Sequence, residues 1–110
     1  MLKKKERLTQ KEFSRFFSLG KKNHTTHLQV VFVPHPTFHC AVTVSKKIHK
    51  TAVKRNKLRR QIYDMVRRYR SSNNTCGVYI IIPKTNITEA TREDIQNELI
   101  TTLEKLNSQS

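Results

Sequence analysis

The chain has 110 residues, a formal net charge of +14 and 35% apolar residues. That length holds one domain with a small core, and a compact chain so charged repels itself unless a polyanion neutralises it. No run of about 18 apolar residues offers a membrane span, no apolar segment follows the basic start as a secretory signal requires, and Cys40 and Cys76 make no disulfide framework, which together fit a reducing cytoplasm.

The charge is uneven: residues 1–70 carry 19 basic and 3 acidic side chains, residues 71–110 carry 3 and 5. An anionic partner is therefore expected along the first two-thirds. Residues 1–8 are basic and expected to be loose. Thr9-Gln10-Lys11-Glu12 fits a capping box, with Thr9 as N-cap and Glu12 reaching back. It predicts a helix from Gln10 to about Leu19, closed by Gly20, with Phe13, Phe16 and Phe17 on one face. Lys21 to Thr26 reads as a polar loop. The β-branched run His27 to Val33 predicts a strand. Pro34-His35-Pro36-Thr37 predicts a turn, and Phe38 to Val44 a second strand, antiparallel to the first because the connection is short.

Ser45 to Lys50 is a basic connector, and Thr51 is placed to cap a long helix ending near Arg70. On that helix Leu58, Ile62, Met65, Val66 and Tyr69 recur at the spacing of a buried stripe. Ser71 to Thr75 is a polar loop. Gly77 to Ile82 is apolar on both sides and predicts a central strand, ended by Pro83. Asn86-Ile87-Thr88-Glu89 fits a second capping box, for a final helix from about Thr88 to Leu106 with Ile95, Leu99, Leu103 and Leu106 turned inward. The order α-β-β-α-β-α, with one more short strand possible, argues for an α+β fold: one domain over residues 1–110, its helices packed on a small mixed sheet.

Between Ser45 and Arg70, 11 residues are Lys or Arg and one, Asp64, is acidic. Candidate phosphate-binding residues are Lys46, Lys47, Lys50, Lys54, Arg55, Lys57, Arg59, Arg60, Arg67 and Arg68. Arg offers paired donors and Lys a point charge, the helix N-terminus adds its own partial charge near Lys50 to Lys54, and Asn56 could bond a base or a 2′-hydroxyl. The competing reading is a solvated charged face, but acidic neighbours at helical spacing are almost absent. Binding to an anionic membrane surface is less suited, since such helices pair their basic face with Trp, Phe or Leu. The phenylalanines read first as core, with base stacking as the alternative. His24, His27, His35, His39, His49 and the two cysteines lack zinc-site spacing. No carboxylate pair suits hydrolysis, because Asp64 is alone between Glu12 and Glu89.

The segment V-T-V-S-K-K, then K-R-N-K-L-R-R, resembles the bacterial ribonuclease P protein subunits, in which a strand ending V-S-K-K leads into a helix opening R-N-R-x-x-R. The matching residues are Val44, Ser45, Lys46, Lys47, Arg55, Asn56, Lys57, Arg59 and Arg60, and L-T-Q-K-E-F-S-R-F-F resembles the family's first helix. Lys57 stands for the second Arg of the motif, Tyr63 and Asp64 for a frequent Arg-Glu, and His39 and Ala41 for a frequent Arg and Gly. The resemblance implies a left-handed βαβ crossover through the basic helix, against the usual hand. It implies a non-catalytic subunit of an endoribonuclease that binds the catalytic ribonuclease P RNA one to one and assists removal of the 5′ leader from precursor tRNA. It further implies that Mg²⁺ acts with the RNA and that the protein holds no metal tightly. It also implies a leader cleft between the first helix and the sheet, assigned to Phe13, Arg15, Phe17, Val31 and Lys84. Whether Leu28, Val30 and Phe32 or Gln29, Val31 and Val33 floor it stays open. A ribosomal-type RNA-binding protein fits the charge and fold class equally, and a helix-turn-helix DNA-binding regulator fits poorly because strands flank the basic helix.

Overall fold

The computed structural model describes residues 8–109. The loose basic start expected over residues 1–8 therefore lies, apart from Leu8, outside the described residues. The element order is α1 (Gln10–Leu19), β1 (Lys21–His24), β2 (Leu28–Val33), β3 (Phe38–Val42), α2 (Ala52–Ser72), β4 (Gly77–Pro83), a 3₁₀ turn (Thr85–Glu89) and α3 (Arg92–Gln109). The fold is α+β, with three α-helices on a four-stranded mixed sheet.

The sheet order is β1-β2-β4-β3. β4 is buried along nearly its whole length and lies between β2 and β3, antiparallel to the first and parallel to the second. β2 and β3 therefore run in opposite directions, as the short turn requires, but are not neighbours. The strand that is apolar on both faces takes the central place. The parallel pair β3 and β4 is joined through α2.

β1 corrects the expected polar loop at Lys21–Thr26. Lys21 to His24 pair antiparallel with Phe32 to Gln29. The strand has no alternating apolar residues because it is an edge with little to bury, and lysines on an edge discourage pairing with other chains. The start of α3 is a second correction. Asn86 to Glu89 lie in the 3₁₀ turn, and the helix is capped five residues later. Thr91 N donates to Asp94 Oδ2 (3.2 Å) and Asp94 N donates to Thr91 Oγ1 (3.1 Å). A reciprocal Thr–x–x–Asp cap held this end where the Asn–x–x–Glu signal did not.

Period-2 alternation sorts the sheet into two cores. On one face Leu28, Val30, Phe32, Phe38, Cys40, Val42, Tyr79 and Ile81 pack against the stripes of α2 and α3. The stripe residues Leu58, Ile62, Met65, Val66 and Tyr69, and Ile95, Leu99, Leu103 and Leu106, are all buried. On the other face Val31, Ala41, Val78 and Ile80 pack against Phe16 of α1, with Leu8, Phe13, Phe17, Val33 and Ile82 at the margin. The capping box of α1 forms as expected, Glu12 N to Thr9 Oγ1 (3.2 Å) and Thr9 N to Glu12 Oε1 (3.0 Å). Gly20 ends the helix with extended rather than left-handed backbone. Glycine is needed there for closeness, because a Cβ would run into Val31 Cγ1.

The β1–β2 turn is fastened to α3 by Glu98. Its carboxylate accepts from the Thr25 hydroxyl (2.7 Å) and the His27 backbone N–H (2.8 Å) and meets His27 Nδ1 at 2.5 Å. Burial pushes the Glu98 carboxyl up, but these bonds outweigh it and hold the group below its ordinary value of 4.5. A carboxyl depressed in the folded state stabilises the fold above the unfolded-state value, and that contribution fades as pH falls through the folded-state value. Glu98→Gln should therefore lower stability to urea at about pH 7 and reduce the loss of stability between about pH 5 and pH 3. Gly77 has φ +114°, and a Cβ there would sit 2.6 Å from Phe32 Cε1. Gly77→Ala should cost about 2 kcal/mol or more in the same urea measurement.

Candidate nucleic-acid interface

The stripe of α2 fixes how the helix is rotated. Once Leu58, Ile62, Met65, Val66 and Tyr69 face the sheet and α3, the cations between them must face away. The Thr51 side chain caps the start by accepting from Lys54 N. The 21 residues of α2 span roughly 30 Å. Lys46, Lys47 and Lys50 of the connector and Lys54, Lys57, Arg60, Arg67 and Arg68 of the helix are exposed, while Arg55 and Arg59 are half-buried.

The ten cations differ in what they touch. Arg55 folds back on the connector, its Nη1 donating to the carbonyls of His49 (3.0 Å) and Lys50 (2.9 Å). It thereby fixes the Lys46–Lys50 turn against the helix start. Arg59 Nη1 donates to Asn56 Oδ1 (2.6 Å), so the asparagine oxygen is already used. Arg67 and Arg68 both pair with Asp64, at 2.9 and 3.1 Å. The Arg67 hydrogen bond, with the charges of both arginines, holds the Asp64 carboxyl below its ordinary value. Lys46, Lys47, Lys50, Lys54, Lys57 and Arg60 have no carboxylate partner among the described residues. The unneutralised charge is thus concentrated on the connector and the N-terminal half of α2, and its C-terminal half is partly compensated.

Two shallow grooves lie along that half. One, of about 530 Å³, is lined by Val53, Asn56, Lys57, Arg60 and Gln61. The other, of about 320 Å³, is lined by His49, Lys54, Lys57, Leu58 and Gln61. Val53 and Gln61 were not singled out by the sequence, and His49 was weighed only as a metal ligand. Only the rotation set by the stripe puts them among the cations, although Val53, 78% exposed, breaks the apolar periodicity.

The structure places the five residues assigned to the α1 side differently. Phe13 and Phe17 are half-buried and stacked, their centroids 6.0 Å apart. Lys22 Nζ stands 5.1 Å from the Phe17 ring. Lys22 reaches it because β1 is a strand in register with β2, Lys22 opposite Val31, and a loop reading hides this. Arg15 is exposed and lies on the far flank of α1, two residues from either phenylalanine, with its guanidinium 5.8 Å from Phe16. Val31 is fully buried beneath the helix. Lys84 donates its ammonium to the Thr25 carbonyl (2.6 Å), at the turn that Glu98 holds. α1 covers the Val31 and Val33 side of the sheet.

A family model described as ribonuclease P matches residues 2–107. Comparison with curated protein sequences returns no match. Among solved structures, the Staphylococcus aureus RNase P protein is 25% identical with a TM-score of 0.78, covering 92% of this chain and 94% of that one. The RNase P protein of Thermotoga maritima is 22% identical with a TM-score of 0.80, covering 91% and 96%.

Asp64 is the one carboxylate on the cationic helix. Asp64→Asn releases Arg67 and Arg68, so the variant should elute from immobilised heparin at higher salt than the wild-type chain. Its affinity should rise a few-fold, as expected for loss of an exposed ion pair that competes with the ligand.

Proposed function

The chain belongs to the ribonuclease P family, and from that membership we propose that it is the protein subunit of a ribonuclease P, binding the catalytic RNA through α2 and the 5′ leader of precursor tRNA beside α1. The observation that carries this reading is the six cations between Lys46 and Arg60, all but Arg55 and Arg59, whose side chains have neither a carboxylate nor a hydrogen-bond partner among the described residues. RNA phosphates would supply the missing counter-charge, with affinity that falls as salt rises. The stacked, half-buried Phe13 and Phe17, with Lys22 over the Phe17 ring, suit unpaired bases, which stack on aromatic rings regardless of sequence. Low sequence preference suits a subunit that meets many leaders.

The chain's role is to bind and orient. Among the described residues no three His, Cys, Asp or Glu side chains gather as a metal site. Mg²⁺ takes near-octahedral oxygen coordination from carboxylates, waters and phosphates, and Asp64, the one carboxylate of α2, is engaged by Arg67 and Arg68, so the proposal assigns the ion to the RNA. Holding the substrate and offsetting phosphate repulsion raise kcat/KM without a reacting group from the protein.

The test mixes the full chain with a bacterial ribonuclease P RNA and precursor tRNA at low Mg²⁺. Stimulated 5′ maturation is expected. No stimulation together with tight binding to ribosomal RNA would favour a ribosomal-type protein. Arg55→Ala combined with Arg59→Ala should weaken binding to the ribonuclease P RNA by about tenfold or more. Phe13→Ala should weaken binding of leader-bearing precursor by about fivefold or more while leaving mature tRNA unaffected. An altered circular dichroism spectrum for Phe13→Ala would make that residue core instead.

A further inference from the structure

Val53, Lys57 and Gln61 stand one turn apart along α2 and form a ridge of the i±4 kind. Lys57 and Gln61 line both grooves, so the ridge separates them. Asn56 and Arg60 flank it on one side, Lys54 and the His49 rim on the other. Lysine and arginine side chains only donate hydrogen bonds, which suits phosphate oxygens. Gln61 differs. It is half-buried, and its amide has no hydrogen-bond partner among the described residues. The other amide lining the grooves, Asn56, has its oxygen engaged by Arg59 at 2.6 Å. Gln61 Oε1 is thus a free acceptor set among donors, and an unprotonated phosphate cannot satisfy it. It suits a ligand that donates as well as accepts.

We infer that the Val53–Lys57–Gln61 ridge enters the shallow groove of an RNA helix and that Gln61 bonds a ribose 2′-hydroxyl there, while the flanking cations hold the phosphates. The inference rests on the ribonuclease P reading and adds the part of the RNA that is recognised. A-form RNA displays its 2′-hydroxyls in a wide, shallow minor groove, and the 2′-hydroxyl both donates and accepts. Charge complementarity selects the occupant, because grooves bordered by unneutralised Lys54, Lys57 and Arg60 suit a polyanion. Gln61 is then a specificity residue, separating RNA from DNA, where Lys57 supplies affinity.

The test uses the full chain, wild type and Gln61→Met, with ribonuclease P RNA transcribed with scattered 2′-deoxynucleotides. Gln61→Met keeps size and helix propensity and removes the amide. The variant should bind fully ribose RNA about fivefold more weakly, with the same salt dependence as wild type. At one or a few positions 2′-deoxy substitution should weaken wild-type binding and leave the variant unaffected. Equal affinity of wild type and variant overturns the inference, and so does weaker variant binding with an unchanged pattern of 2′-deoxy interference. If the wild-type chain fails to bind this RNA, the ribonuclease P reading falls and the inference with it. Normal wild-type binding with an unaltered variant removes the inference alone.

Discussion

The rest of the structure depends on the inward stripe of α2. Five apolar side chains, Leu58, Ile62, Met65, Val66 and Tyr69, are buried against the sheet and α3. Each such burial contributes about 2 kcal/mol, whereas like charges one turn apart on an exposed helix cost only a few tenths of a kcal/mol. The stripe therefore outweighs the crowding of cations on the opposite side. It also fixes the rotation of the helix, so every cation that repels its neighbours is presented outward in one register. Burial sets the geometry of the charges, and the charges do not hold the fold.

The sheet extends that arrangement. β3 ends at Val42, two residues short of the strand expected from the sequence, but Val44 is still buried in the main core, and the chain passes from it into Ser45, Lys46 and Lys47. A rigid strand thus delivers the connector, and Arg55 ties it back to the first turn of α2 through two carbonyls. The α1 side is built differently. Its cluster is smaller, and Phe13 and Phe17 sit at its margin half-covered. Aromatic rings that are held yet partly open can receive a planar ligand without disturbing the main core. One sheet thereby carries a cationic face on α2 and an aromatic margin on α1, in line with the two RNA contacts proposed for the chain.

The strongly periodic parts were legible from the sequence. The stripes of α2 and α3, the Thr9 capping box and the central position of β4 follow from local pattern alone. β1 was not, because Lys21 to His24 gain their structure from pairing with β2 and carry no apolar signal of their own. The α3 start was misplaced because two cap signals lie five residues apart, and it is Thr91 and Asp94 that bond reciprocally. The separation of β2 from β3 by β4 is a long-range choice that a short turn does not report. At the interface, the sequence identified the cations but not their internal partners. Asp64 engages Arg67 and Arg68 at helical spacing, whereas the bonds from Arg55 to the connector carbonyls depend on its folded path. Lys84 carried no signal that its ammonium would be drawn to Thr25.

The most direct measurement replaces Lys54, Lys57 and Arg60 together by Gln and follows both folding and binding to ribonuclease P RNA across a range of salt. If burial alone holds α2, the variant should unfold at the same or a higher urea concentration than wild type, since repulsion is removed. Its plot of log affinity against log salt should lose about 0.7 to 0.9 of slope for each cation replaced. An unchanged slope, or a chain that no longer folds, would contradict the claim that one buried stripe presents this cationic face to RNA.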